Sequence, residues 1–198
     1  MGILDRFLSR PPGGDQEPPR REPRPSGRKD FVRRPDVIYR DEYMDRTAER
    51  AWVASGIEAS ELMRERNRLI VMTDFGMLNP RSTQAYRLGL FSFLVRGTNY
   101  YRQAVKSGNF TPGAPLRLER EPANVHDPNA IAVYAEGAHQ LSGYVNKQRA
   151  KRLAVLMDSG ADLAAVSVRG AGAGREDEVP HVLACERHIM EHLTRRLD

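Results

Sequence analysis

The chain has 198 residues, enough for one domain of ordinary size with accessory segments, and its apolar content of 40% indicates that part of it enters no core. Lysine and arginine number 31 against 26 acids, a positive balance that permits binding to nucleic acid or to an anionic membrane but does not by itself indicate either. The single cysteine excludes a disulfide framework, and neither zinc-site spacing nor a signal or membrane-spanning segment is present. We therefore expect a cytoplasmic protein without cofactor, metal or membrane contact.

The first 36 residues are predicted to be a disordered basic tail. Residues 11–36 are rich in Pro, Arg, Gly and acids, so they offer almost no apolar surface to offset the entropy of ordering. The preceding ten residues place several apolar side chains on one helical face, but so short a helix is marginal in water. The tail is either an electrostatic arm that contacts phosphates or a solvated linker, and the sequence leaves both open.

Residues 37–87 are predicted to form a helical accessory segment. A first helix is expected to close just before Ser55, and Ser55 and Glu58 have the spacing of a capping box, which predicts a second helix. Residues 69–72 fit either a short strand or the end of that helix. This segment could pack on the domain that follows or could provide a self-association or partner surface.

Residues 88–190 are predicted to form a compact β-barrel, followed by a C-terminal tail at 191–198. Many short strands separated by turns, with one or two small helices, are typical of such a barrel. A helix is expected over 146–158, where apolar residues recur at spacings of three and four. The predicted strands cover residues 88–96, 116–119, 130–133, 140–145, 164–169 and 179–186.

The stretch 116–133 organises this domain. It opens with period-two alternation, breaks at Pro122, passes through the turn-forming residues 124–129, and resumes alternation. It therefore predicts a strand, a tight polar loop and a second strand. The loop presents His126 and Asp127 side by side on a rigid scaffold.

The pattern Leu-x-Arg-Glu-Pro-x-Asn-x-His-Asp-x-Asn-Ala-Ile-x-Val, followed by Ser142-Gly143-Tyr144 and Ala150, resembles the HIRAN domain. That family occurs at the front of fork-remodelling helicases and as stand-alone bacterial proteins. The resemblance covers about residues 90–188 and nothing before residue 88. It implies a modified OB-like barrel, so the expected fold class is mainly β with accessory helices (α+β).

The resemblance also implies a clamp for the 3′ end of single-stranded DNA. In the family, two aromatics hold the terminal bases, an Asp accepts a hydrogen bond from the 3′ hydroxyl, and a Lys at a helix start meets phosphate. Carried onto this sequence, the binding positions are Tyr100, Tyr101, Asn124, His126, Asp127, Tyr144 and Lys147. Two positions depart from the family pattern, because His126 stands in place of a Tyr and Asn99 in place of an Arg.

These positions also have structural interpretations. Base stacking on aromatics contributes about 1–3 kcal/mol per base, and a carboxylate is an acceptor that favours a hydroxyl over a phosphate. However, Asp127 and Asn129 could simply fix a turn through side-chain-to-backbone bonds. Tyr100 and Tyr101 could pack within the barrel, and for Asn124 and Asn129 the turn is the favoured interpretation.

Three functions follow from these observations. The leading hypothesis is a non-enzymatic module that binds DNA ends in repair, replication or phage defence, with a helicase or nuclease as a further partner. The alternative is a protein-interaction adaptor whose barrel no longer binds DNA. An enzyme, or an accessory subunit of a helicase or nuclease, is less favoured, since the sequence has no Walker A motif, metal-chelating carboxylate cluster or nucleophile with a positioned base.

Overall fold

The structure, a computed structural model, describes residues 40–175 and 179–197, and the predicted disordered tail therefore lies outside the described residues. The strands within them are β1 Ser60–Glu65, β2 Arg68–Thr73, β3 Gly76–Leu78, β4 Phe91–Leu94, β5 Pro115–Arg120, β6 Ile131–Ala135, β7 Gly143–Tyr144, β8 Leu163–Arg169 and β9 His181–Glu186. The α-helices are α1 Arg46–Ser55, α2 Thr83–Arg87, α3 Arg102–Ser107, α4 Lys147–Asp158 and α5 Arg187–Thr194. None of the described helices is long and apolar enough to cross a bilayer.

Six strands form one curled sheet in the order β4-β9-β8-β5-β6-β7, and every neighbouring pair is antiparallel. The two edges of this sheet meet just beyond β4. There, the Arg96 N–H donates to the Tyr144 carbonyl at 2.8 Å, and the Tyr144 N–H donates to the Arg96 carbonyl at 2.9 Å. The structure therefore confirms the predicted architecture, a compact OB-like barrel that is mainly β with accessory helices.

The barrel is filled by residues that alternate along its strands. Phe91 and Phe93 of β4 and Ile131 and Val133 of β6 are almost completely buried in one core. Helix α4 covers the barrel with its apolar face, because Ala150, Leu153 and Ala154 recur on one side at spacings of three and four. Asn146 caps the N-terminus of this helix, since its side chain accepts a hydrogen bond from the Arg149 N–H at 3.1 Å.

A second sheet, β1-β2-β3, packs on the outside of the barrel. Its apolar residues Leu62 and Val71 belong to the same buried cluster as Leu183 of β9 and Leu193 of α5. Trp52 of α1 is completely buried in this cluster. Its indole N–H donates to the Ser60 hydroxyl at 2.7 Å, so this layer is sealed by apolar contact and one buried hydrogen bond.

Cys185 of β9 is also completely buried in this outer cluster. The loss of solvent is the main reason why the pKa of its thiol is raised to about 12, and the nearby Glu186 carboxylate adds to the effect. The thiol is therefore protonated and packed like a small apolar side chain.

The prediction of a second helix from Ser55 was wrong, because residues 60–78 form three strands. Gly56 has φ 86° and donates its N–H to the Trp52 carbonyl, so it ends α1 and makes Ser55 the last residue of a helix instead of an N-cap. Arg66, at φ 56°, lies in the turn that joins β1 to β2. The segment packs on the barrel, which is the first of the alternatives that the sequence left open.

The predicted C-terminal tail is also helical in part, since α5 extends to Thr194. Met190 and Leu193 lie one turn apart on this helix and are both buried against the second sheet and the barrel. The strand expected over 140–145 is shorter than predicted, because the hydrogen-bonded strand β7 has two residues.

Candidate nucleic-acid interface

The loop between β5 and β6 is held by its own polar side chains. Asn124 Oδ1 accepts hydrogen bonds from the backbone N–H groups of His126 at 3.0 Å and Asp127 at 3.3 Å. Its amide nitrogen donates to Glu121 Oε2 at 2.8 Å. These bonds confirm the predicted strand, tight polar loop and strand, and they give Asn124 the turn role that the sequence favoured.

Asp127 uses one carboxylate oxygen for the loop. Its Oδ1 accepts from the backbone N–H of Asn129 at 2.9 Å and from the Asn129 side-chain amide at 3.2 Å. Its Oδ2 has no hydrogen-bond partner among the described residues. The turn interpretation and the hydroxyl-acceptor interpretation therefore use different oxygens, and the structure accommodates both.

The Asp127 carboxylate is held in its ionised form. The backbone hydrogen bond from Asn129 is the largest cause that lowers its pKa, and the Asn129 side chain and the positive charges of Lys147 and Arg120 act in the same direction. Partial loss of solvent opposes these effects without reversing them. Asp127 thus presents an acceptor-only group near neutral pH.

An aromatic pair lies beside this loop. The rings of Tyr101 and Tyr144 have centroids 6.1 Å apart and planes at 61°, an edge-to-face arrangement. The Tyr144 hydroxyl donates to Glu121 Oε2 at 3.1 Å. Burial is the main cause that raises the pKa of Tyr144, and interactions with Tyr101 and Glu121 add to it, so Tyr144 remains a neutral donor.

The closure of the barrel brings Tyr101 and Tyr144 together. The Tyr100 N–H donates to the Gly97 carbonyl at 2.8 Å, so the chain turns back directly after the bridge between Arg96 and Tyr144. Gly143, at φ 148°, lies against that bridge, and a side chain there would collide with the Arg96 carbonyl oxygen. A glycine is therefore needed where the two sheet edges meet.

Positive charge borders the loop on the α4 side. Lys147 is the first residue of α4 and is exposed, and its charge is close enough to help lower the pKa of Asp127. Arg120 has a structural role, since it binds Asp158 through two hydrogen bonds of 3.0 and 2.9 Å and the Ala130 carbonyl through a third of 3.0 Å. Among the described residues, no three His, Cys, Asp or Glu side chains are grouped so as to hold a metal ion.

The HIRAN domain family model matches residues 88–188, about half of the chain. The chain belongs to the HIRAN domain family. Over 84 residues, it is 36% identical to the Fanconi-associated nuclease 1 homolog of Oryza sativa subsp. japonica. That match covers 41% of this chain and 9% of the rice protein, so the chain spans less than a tenth of the length of this relative.

Two solved structures of the human HLTF HIRAN domain are similar to this chain. The crystal structure has 25% identity and a TM-score of 0.39, and the similarity covers 55% of this chain and 86% of that domain. An NMR structure of the same domain in its DNA-bound conformation has 25% identity and a TM-score of 0.36, with coverage of 54% and 87%.

In this HIRAN domain, the predicted site residues fall into a connected centre and an exposed rim. The centre consists of Tyr101, Asn124, Asp127, Tyr144 and Lys147. These residues are connected to one another by contacts or by charge interactions, and Glu121 is a shared hydrogen-bond partner of Asn124 and Tyr144. Tyr100 and His126 lie at the rim, next to centre residues in the chain. Tyr100 is 89% exposed, so it does not pack within the barrel, whereas Tyr101 is half-buried.

The sequence analysis missed two residues of this site. Glu121 accepts hydrogen bonds from both Tyr144 and Asn124, and its position directly after β5 within the Arg-Glu-Pro part of the motif was the signal that could have identified it. Val125 is 90% exposed between Asn124 and His126. No sequence signal marks Val125, because an apolar residue in a polar loop is ordinarily expected to turn inward.

Proposed function

We propose that this HIRAN domain binds single-stranded DNA by its free 3′ end. The observation that carries the proposal is the ionised carboxylate of Asp127, which has an oxygen unused by the described residues and lies in the same loop as exposed His126 and Val125. The exposed ring of Tyr100 can stack on a base without reading its identity. The family resemblance implies the same roles for Tyr100 and Asp127.

The charge arrangement favours a hydroxyl at Asp127. A carboxylate can accept a hydrogen bond from a 3′ hydroxyl, but it repels the like charge of a phosphate. Glu121, at the start of the same loop, is joined to Asp127 through Asn124 and adds a second negative charge to the loop. Lys147 offers a positive charge on the α4 side, where the phosphate that precedes the terminal nucleotide can be bound.

The test compares one oligonucleotide that ends in a 3′ hydroxyl with the same strand ending in a 3′ phosphate. A charge-assisted hydrogen bond contributes about 1.5–3 kcal/mol, so fluorescence polarisation at one fixed salt concentration should show a preference for the hydroxyl of about tenfold or more. Asp127→Asn should lower this preference, since an amide is uncharged and can also donate. Tyr100→Ala should weaken both oligonucleotides to a similar extent.

Asp74→Asn is the matched control, because Asp74 is exposed in the turn between β2 and β3 on the second sheet. It removes the same charge and should leave both affinities unchanged. Equal binding of the two ends by the unmutated protein would refute the proposal of end recognition. A complete lack of DNA binding would favour the adaptor alternative.

We further propose that the domain is a non-enzymatic DNA-end-binding part that works beside a nuclease or helicase in DNA repair or replication. The similarity to a protein named as a nuclease homolog supports this, although the chain corresponds to a small part of that protein. If the proposal holds, the purified chain should bind 3′ ends without cutting or unwinding DNA, even with magnesium and ATP. The products are analysed on a sequencing gel for the unmutated protein, for the Asp127→Asn variant and for a mock purification. Products that form with both protein preparations but not with the mock purification would contradict the proposal.

A further inference from the structure

Two arginines of α4 converge on one tyrosine ring. The guanidinium carbon of Arg149 lies 4.5 Å from the centroid of the Tyr86 ring, and that of Arg152 lies 5.5 Å from it. Tyr86 is itself held edge-on against Phe91 of the barrel core, with ring centroids 5.3 Å apart and planes at 85°. The ring is therefore a fixed platform that orients both guanidinium groups.

These two charges have no acidic counterpart among the described residues, because no ion pair joins Arg149 or Arg152 to a described carboxylate. Each cation–π contact contributes about 0.5–1 kcal/mol at an exposed site, but two like charges on one ring repel each other. An anion that bridges the two guanidinium groups would relieve this repulsion. Phosphate fits the planar donor fork of arginine well.

The position of the pair on α4 connects it to the candidate end site. With 3.6 residues per turn, Lys147 and Lys151 lie at one border of the exposed face, and Arg149 and Arg152 lie at the opposite border, next to α2. The lysine border faces the loop of Asp127, since Asp158 on the same side of α4 binds Arg120, the last residue before that loop, at 3.0 and 2.9 Å. From Lys147 to Arg152 the helix rises about 7.5 Å, which is enough for more than one phosphate of a strand.

We infer that the exposed face of α4 binds internal phosphates of the strand whose 3′ end is held at Asp127, and that Arg149 and Arg152, oriented by Tyr86, form a phosphate subsite away from the terminus. This inference rests on the proposed function and deepens it. Base identity plays no part at this subsite, because guanidinium groups that contact phosphate read charge and not sequence. The subsite raises the affinity for the strand, and Asp127 determines the preference for a 3′ hydroxyl end.

The double variant Arg149→Gln/Arg152→Gln tests this division with two probes that both end in a 3′ hydroxyl, a dinucleotide, which has only the phosphate before the terminal nucleotide, and a dodecanucleotide. We expect binding of the dodecanucleotide to weaken, and the slope of log K against log salt to become shallower by about 1.4, which is two contacts at roughly 0.7 each for a single strand. The dinucleotide should bind as before. The preference for a 3′ hydroxyl over a 3′ phosphate should also be unchanged.

Arg46→Gln/Arg50→Gln is the matched control, since it removes two exposed arginines four residues apart on α1. It should leave the salt slope of the dodecanucleotide unchanged. Arg149→Lys/Arg152→Lys should restore most of the slope, because it returns the charges without the planar fork.

The outcomes separate the two proposals. If the unmutated protein prefers the 3′ hydroxyl but the Gln double variant keeps the full salt slope, the phosphate subsite is refuted and end recognition stands. If the unmutated protein binds neither probe, both proposals fall. If poly-glutamate displaces the dodecanucleotide as effectively as unlabelled DNA of equal charge, the α4 face accepts acidic protein segments, and the subsite is likewise refuted.

Discussion

The loop end of the barrel and the face beneath the second sheet are stabilised in different ways. At the loop end, Asn124, Asp127 and Glu121 are connected through hydrogen bonds, and Tyr100 remains exposed. Beneath the second sheet, Trp52 lies in an apolar cluster of buried residues from the second sheet, β9 and α5. Because the two regions share few side chains, we expect binding and stability to respond separately to mutation. The following predictions test that separation, from the largest expected effect to the smallest.

Trp52→Ala should destabilise the protein most. Removal of a fully buried tryptophan costs about 3–5 kcal/mol in the free energy of unfolding, through lost burial and the cavity that remains. Urea unfolding measures this loss of stability. Trp52→Phe should cost less than Trp52→Ala because it keeps an aromatic ring in the cluster, although it gives up the bond to Ser60. The affinity of the folded fraction for DNA should be unchanged, and a parallel fall in affinity would show that the two regions are coupled.

Gly143→Ala should affect both stability and binding. A methyl group there would meet the Arg96 carbonyl and Val95 Cγ1, so the bridge that closes the barrel must shift. We expect a cost of about 2–4 kcal/mol, the sum of overpacking and an unfavourable positive φ, together with weaker DNA binding. Gly137→Ala is the control, because Gly137 also has a positive φ of 66° but has open space around it. Equal effects of the two substitutions would argue against a role for closure.

Glu121→Gln should weaken binding with little change in stability. Gln can still accept a hydrogen bond from Tyr144 or Asn124, but bonds to a neutral acceptor are about 1 kcal/mol weaker than bonds to a carboxylate. The loop and Tyr144 should therefore be less fixed, and the affinity for a 3′ hydroxyl end should fall about fivefold. Glu119→Gln, on the exposed side of β5, should have no effect on affinity. A fall of the same size in both variants would assign the loss to net charge alone.

The smallest effect concerns the titration of Asp127. Its lowered pKa means that the ionised form is favoured by folding, so this contribution to stability is present above the ordinary pKa of an aspartate and is lost as the pH falls through the lowered value. Carbon-13 NMR titration should place the Asp127 pKa below the ordinary value of about 3.9. Asn129→Ala should raise it only partway, since the backbone hydrogen bond remains. An ordinary pKa in the unmutated protein would contradict the described loop.

The sequence predicted those parts of the molecule that local chemistry determines. Helix α4 follows from its cap at Asn146 and its apolar spacing, and the loop around Asp127 follows from the turn preferences of Asn, Asp and Pro. The second sheet could not be predicted in the same way. The Ser55–Glu58 spacing favours a helix locally, whereas strand pairing of β1 with β2 and burial against β9 decide the outcome.

The barrel closure was equally hidden from the sequence. Arg96 and Tyr144 are distant along the chain, and no pattern in either segment specifies that their backbones pair. The prediction could therefore name Tyr101 and Tyr144 as candidates without showing that their rings touch. The bond between Glu121 and Tyr144 was hidden for the same reason, since these two residues meet only in the folded chain.

The burial of Cys185 makes the labelling rate of its thiol a measure of local opening. The chain contains one cysteine, and only the thiolate form reacts quickly with alkylating reagents. Cys185 is therefore protected from these reagents in two ways. Burial prevents their access, and a pKa raised to about 12 keeps the thiol protonated. The rate at which a maleimide labels the protein therefore measures how often the outer layer opens. Because the loop of Asp127 lies in a different part of the fold from this thiol, a nucleotide bound there cannot shield it directly. Slower labelling in the presence of DNA would therefore show that DNA binding at the loop stabilises the outer layer against opening.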